Sequence, residues 1–249
     1  MIVSASTDCF SDLSLPQVFE RLGDLEFLAV EIVIRDNQPR LTPADVLEDP
    51  EKAAALCRDT HRLGITGYDV QISATGEAHY DQFAAICRLA KATKVASITV
   101  PSAELGTPFN EEVEHLRRLV SIATLESVVV SIRTQIGRLS EDPDTVVVLC
   151  NNVKGLGVTL DPSHYICEPN TVRDFEKLIK YTYNVHLRDT SKKELQVRIG
   201  QGEVDYGKVV NLLNRVGYER GLCVHLQPLP DVDHAAEMRK LRLLLESLI

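Results

Sequence analysis

Two stretches of this sequence set ionisable side chains directly after short apolar runs. In Leu156-Gly157-Val158-Thr159-Leu160-Asp161-Pro162-Ser163-His164 the run ends in a carboxylate, a proline stops it, and a histidine follows. Val185-His186-Leu187-Arg188-Asp189 ends a second run in the same manner. Carboxylates and imidazoles pass protons and ligate metal ions, and a guanidinium holds an oxyanion. An α/β barrel places such groups at the carboxyl ends of its strands, where its active site is built.

The elements that must carry these residues are legible along the whole chain. Short β-branched runs at 2–5, 27–34, 67–72, 95–100, 127–132, 157–160, 184–187 and 222–226 predict eight strands. Amphipathic stretches with helix-start signals alternate with them: Ser14-Leu15-Pro16, Asp49-Pro50-Glu51 (running to Gly64), 77–94, 111–124, Asp142-Pro143, Asn170 or Thr171, Asp205 (ending near Gly217), and Asp233 (running to Leu248). Alternating βα units imply a parallel sheet, and eight of them in 249 residues imply a closed (β/α)8 barrel forming one domain over 1–249. An open doubly wound sheet would carry a Gly-rich phosphate turn after its first strand. Here Ser6-Thr7-Asp8-Cys9-Phe10 follows instead.

Residues two apart on a strand share a face. The inward faces near the strand ends then read Glu31, Val33 and Arg35; Asp69, Gln71 and Ser73; Ser131, Arg133 and Gln135; Asp161; His186 and Arg188; and Cys223, His225 and Gln227. So many polar groups at one end suit a binding pocket. His61, His79, His115 and His234 fall on predicted helices and are read as solvated.

The formal net charge of −9 argues against a nucleic-acid partner, which usually meets a basic face. No run nears the ~20 apolar residues that span a bilayer. Met1-Ile2-Val3-Ser4-Ala5 starts directly as a strand, so no signal peptide is expected. Six scattered cysteines without a C-x-x-C are read as reduced core residues of a cytoplasmic protein. Oligomeric state is left open.

The runs 157–164 and 185–189, together with Gly200-Gln201-Gly202-Glu203-Val204-Asp205-Tyr206, resemble those of the xylose isomerase-like barrels. These are sugar phosphate isomerases and epimerases, with endonuclease IV as a distant relative. The resemblance implies metal-ligand positions at Asp161 and His186, a substrate or second-ligand position at His164, and a Gly200–Gly202 loop near the substrate. It also implies metal-binding glutamates at the ends of strands five and eight. This chain has Arg133 and His225 there, or Gln135 and Gln227 if the register slips by two.

Isomerisation needs a base beside a carbonyl and an electrophile for the enediolate. Without the glutamates, a divalent ion keeps Asp161, His186 and one of His164 or His225. That set suits zinc better than manganese or magnesium, or no metal at all. Arg133, paired with Asp161, would then supply the missing positive charge.

The reading is a sugar isomerase/epimerase-like protein acting by proton transfer on a small carbohydrate-like or anionic ligand. His186, His225 and Asp161 are its catalytic candidates, and His164, Arg133, Arg188, Gln71 and Glu31 are its substrate contacts. The rival is a non-catalytic sensor or partner-binding barrel. An abasic-site nuclease would need more histidine and acid ligands at the strand ends.

Overall fold

The computed structural model describes residues 1–36, 40–167 and 174–249. Eight parallel strands close into a barrel in chain order: β1 (Ile2–Ser6), β2 (Ala29–Arg35), β3 (Gly64–Gln71), β4 (Ser97–Pro101), β5 (Val129–Arg133), β6 (Gly157–Leu160), β7 (Thr182–Leu187) and β8 (Gly221–Val224), with β1 pairing back onto β8. The helices α1 (Leu15–Asp24), α2 (Pro43–Glu48), α3 (Pro50–Arg58), α4 (Glu77–Ala92), α5 (Phe109–Leu125), α6 (Pro143–Asn152), α7 (Ser163–Ile166), α8 (Tyr206–Arg215) and α9 (His234–Glu246) lie between and after them. This is the (β/α)8 architecture expected from the alternation.

Period-two alternation divides each strand between two environments. One face carries the apolar set, including Ile32 and Ile34, Tyr68 and Val70, Val130 and Ile132, Val158 and Leu160, and Val185 and Leu187. All of these are buried in the main hydrophobic core. The inward face is polar. Thr159 Oγ1 lies 2.7 Å from both Thr99 Oγ1 and Ser131 Oγ, and Asn184 Nδ2 donates to Thr99 Oγ1 at 3.5 Å. Barrel interiors are commonly filled by bulky branched side chains. Here hydroxyls and an amide form a polar floor beneath the mouth.

The start signals work as read. Asp49, Asp142, Asp205 and Asp233 each accept a backbone N–H of the first turn of α3, α6, α8 and α9. Ser14 and Gln17 form a capping box on α1. Three details differ. A separate α2, with Thr42 and Asp45 forming its own capping box, precedes α3. The expected helix start at Asn170 or Thr171 lies outside the described residues, and a 3-10 turn, Glu176–Tyr181, leads into β7. The helical histidines are not all solvated. His79, His115 and His234 are half-buried, and His234 Nε2 lies 2.7 Å from the Cys9 carbonyl. His61 is exposed but sits in a turn with φ of 51°. All six cysteines are free thiols, and among the described residues no helix is long and apolar enough to cross a membrane.

Candidate active site at the barrel mouth

Each side chain at the mouth is positioned by the last residues of a strand or the first residue beyond it. Asp161 follows β6, where Pro162 stops the strand and opens α7. Its Oδ1 accepts the Ser163 N–H at 3.0 Å and the Ser163 hydroxyl. Its Oδ2 accepts Arg188 Nη2 at 2.8 Å. Arg188, just past β7, uses the same nitrogen to reach His225 Nδ1 at 2.7 Å, just past β8. The His225 ring stacks on His186, with centroids 4.8 Å apart and planes 6° apart. His186 Nε2 meets Glu31 Oε1 at 2.7 Å, and Asn184 Nδ2 donates to Glu31 Oε2. A continuous polar chain therefore runs from β6 through β7 and β8 to β2.

Four ion pairs hold the described mouth together. Arg188–Asp161 and His186–Glu31 are joined by Arg133 Nη1 to Asp69 Oδ2 at 2.6 Å and Arg35 Nη2 to Asp8 Oδ2 at 3.1 Å. Positive and negative partners match in number. The expected Arg133–Asp161 pair is therefore not formed. Register explains why: Arg133 lies level with Thr159, so Asp161 stands beyond it toward the strand end. The stagger of a tilted barrel brings Arg133 to Asp69 on β3 instead, and Arg188 takes Asp161.

Burial sets the proton positions. Asp161 and His186 are fully buried, and Arg188 and His225 are each 8% exposed. Burial pushes the Asp161 carboxyl up, but Arg188, His164 and Ser163 outweigh it and hold it below the usual range. Burial likewise opposes charge on both His186 and Glu31, yet their mutual attraction wins, raising His186 and lowering Glu31. Burial, reinforced by Arg188 and His186, drives His225 well down. Since Arg188 can only donate, His225 Nδ1 accepts and the neutral ring carries its proton on Nε2. The same logic applies to His164, whose Nδ1 accepts the Ile136 N–H at 3.3 Å. Its proton then lies on Nε2, 3.7 Å from Asp161 Oδ2. Burial, with Arg188 and Arg133 nearby, outweighs Asp161 and lowers His164 to about 4.

His186 Nδ1, His225 Nε2 and Arg188 Nε are buried and have no hydrogen-bond partner among the described residues. Seven of the eight predicted site residues are thus brought together: Glu31, Arg133, Asp161, His164, His186, Arg188 and His225. Gln71 ends β3 exposed. Glu31 is fully buried, as is His186, and its carboxylate is taken up by His186 and Asn184. Sequence reasoning placed Asp69 on the right face but gave it no partner, and did not single out Asn184 or Asp8. Their only signal was the strand alternation itself.

The Gly200–Gly202 loop is tied to Asp189, the residue after Arg188. Asp189 Oδ2 accepts the N–H groups of Gly200 at 2.7 Å and Gly202 at 3.0 Å, and Oδ1 accepts the Thr190 N–H at 3.1 Å. A Cβ at Gly202 would collide with Asp189 Oδ1 and the Thr190 carbonyl.

The comparisons with known proteins match this architecture. The family model described as "Xylose isomerase-like TIM barrel" matches residues 19–243. The chain belongs to that family. No curated protein matches it. Among solved structures, a xylose isomerase domain protein from Planctomyces limnophilus superposes with a TM-score of 0.76 at 17% identity, covering 99% of this chain and 95% of that one. A D-tagatose 3-epimerase-like protein gives 0.74 at 18% identity, covering 100% and 98%. A 3-keto-D-glucoside 4-epimerase from E. coli gives 0.75 at 15% identity, covering 99% of each. These likenesses speak for the shared fold.

The family resemblance implies a metal ion among positions 133, 161, 186 and 225. The donor set does not suit one. Position 133 is a guanidinium, and both oxygens of Asp161 are already engaged. His225 Nδ1 is turned to Arg188, and the two unpartnered ring nitrogens, His225 Nε2 and His186 Nδ1, each carry a proton, so neither offers a lone pair. Among the described residues, the group that gathers three possible ligand atoms is Glu31, His186 and Cys223, within 4.8 Å of one another and deeper in the barrel. Asp161 is not in it. Burial, followed by the charge of Glu31, raises the Cys223 thiol well above its usual range, away from the thiolate a metal needs.

Proposed function

We propose that the protein is a sugar isomerase/epimerase-like enzyme, a single barrel domain over 1–249, that moves a proton on a small keto- or aldo-sugar without the family's metal glutamates. The observation that carries this reading is the Glu31–His186 pair. Glu31 holds the Nε2 proton of the His186 imidazolium at 2.7 Å, and the proton on His186 Nδ1 is left without a partner, to be given to the substrate and taken back. A carboxylate that fixes one imidazole nitrogen leaves the other as the point of proton exchange. His225 is the poorer proton carrier, because its accepting nitrogen is taken by Arg188 and burial beside that cation keeps its ring neutral. Arg188 and Arg133 supply fixed positive charge for a developing enediolate. The titles of solved neighbours name tagatose-, ketoglucoside- and ribulose-type epimerases, which supports a carbohydrate ligand. The free thiols support a reducing compartment, the cytoplasm.

The test is solvent deuterium exchange. A panel of keto- and aldo-sugars is incubated with the protein in D2O with chelator present, and the carbon beside the carbonyl is followed by NMR. Exchange is expected with wild type and should fall about 100- to 10,000-fold in His186→Asn. A second reading, a sensor or partner-binding barrel, is supported by the burial and full charge pairing of the mouth. Tight sugar binding with no exchange on any member of the panel would select it.

A further inference from the structure

The place expected for a metal ion is filled by a cation of the chain itself. Arg188 leaves β7 between the two flanking strands that carry Asp161 and His225. Its Nη2 is bonded to both, at 2.8 Å and 2.7 Å. One positively charged atom is thus within hydrogen-bond distance of two of the four positions that would surround an ion. The third, His186, stacks directly on His225. The fourth is itself cationic, Arg133. An incoming divalent ion would meet two guanidinium groups, and every mouth carboxylate near it is already paired, Asp161 with Arg188 and Asp69 with Arg133. Because the four pairs of the mouth balance, it would also add its whole charge to a neutral site.

We propose that the Arg188 guanidinium is a built-in cation standing in place of the family's metal ion, and that it keeps a divalent ion out of the barrel mouth. The role suits a guanidinium, whose terminal NH2 group gives its two N–H donors to two acceptors while the charge stays fixed. Its buried Nε–H, unpartnered among the described residues, is a donor left over for a ligand oxygen. This inference concerns occupancy of the site and stands apart from whether a sugar is turned over.

Cobalt(II) titration, read by visible absorption and calorimetry, tests it on wild type, Arg188→Ala and Arg188→Met, with folding checked by circular dichroism. Wild type should take up no stoichiometric cobalt at the mouth. The folded variants should bind one equivalent at least about 100-fold more tightly than wild type. Millimolar guanidinium should displace it, by refilling the vacated position. Adding Asp161→Asn to the variant should abolish the gain.

Three results would overturn the proposal. The first is one equivalent of cobalt on wild type that is lost in Asp161→Asn, which decides the matter even if no variant folds. The second is a folded Arg188 variant that binds no better than wild type. The third is a gain that disappears with Cys223→Ser and survives Asp161→Asn, which would put the ion at the deeper Glu31, His186 and Cys223 group.

Discussion

Arg133 and Arg188 differ by what they neutralise. The Arg133–Asp69 pair has side chains only 13% and 2% exposed. Removing one partner of a buried pair leaves an uncompensated charge, so Arg133→Ala should cost about 3–5 kcal/mol in urea denaturation. The exposed Lys192–Glu203 contact, at 3.8 Å with side chains 62% and 48% exposed, is the comparison. Lys192→Ala should change stability by no more than about 0.5 kcal/mol. A small loss from Arg133→Ala would mean that Asp69 is satisfied without it. The identities of the mouth residues were legible in the sequence because strand ends are. Their partners were not. Pairing across a barrel depends on tilt and stagger, which place Arg133 beside Asp69 on β3 although β5 and β6 are the neighbours in the chain. Proton positions were also out of reach, because they follow from which nitrogen of His164 or His225 meets a donor.

At the scale of elements, the eight strands were readable because β-branched runs, turn residues and helix caps agree with one another at every unit. The boundaries moved by a few residues where caps, rather than hydropathy, end an element. Thr42-Pro43 opens α2 ahead of the Asp49-Pro50 start of α3, and the short apolar content of α2 hid it. The Gly200–Gly202 loop carries a constraint that spacing alone does not reveal: its two glycines are shaped around a carboxylate. Both of their N–H groups bond Asp189, which is 2% exposed. Gly202→Ala has no room for its methyl and should lower stability by about 1–3 kcal/mol, measured by thermal melting. The same change at Gly23, where a Cβ meets nothing within 4 Å and the helix gains propensity, should be neutral or mildly stabilising. Equal melting temperatures for the two variants would show that the loop yields freely.

For the molecule as a whole, the buried neutral imidazoles couple folding to acid. His164 titrates at about 4 in the folded chain because of burial, against an ordinary value of 6.5. A base with a lowered folded pKa favours the native state above its unfolded value and loses that advantage as pH falls. Between pH 6.5 and 4 the unfolded chain takes up the proton and the folded one resists, so His164 alone should remove about 3 kcal/mol by pH 4. His115, lowered to about 4 by burial with His79 and Arg118 beside it, adds in the same direction. Denaturation midpoints measured across this range should fall steadily, and replacing His164 with Gln should flatten the slope; an unchanged slope would mean that His164 is not the group responsible. The even matching of charges at the mouth has a further consequence, for the speed of encounter. Long-range steering of a ligand needs a region with net charge, and paired charges leave only short-ranged dipoles. Counted with neutral histidines, the four pairs hold only one of the chain's nine net negative charges, so nearly all of its net charge lies outside the mouth. An uncharged sugar therefore arrives by unaided diffusion and is recognised only on contact, so its association rate is nearly indifferent to ionic strength.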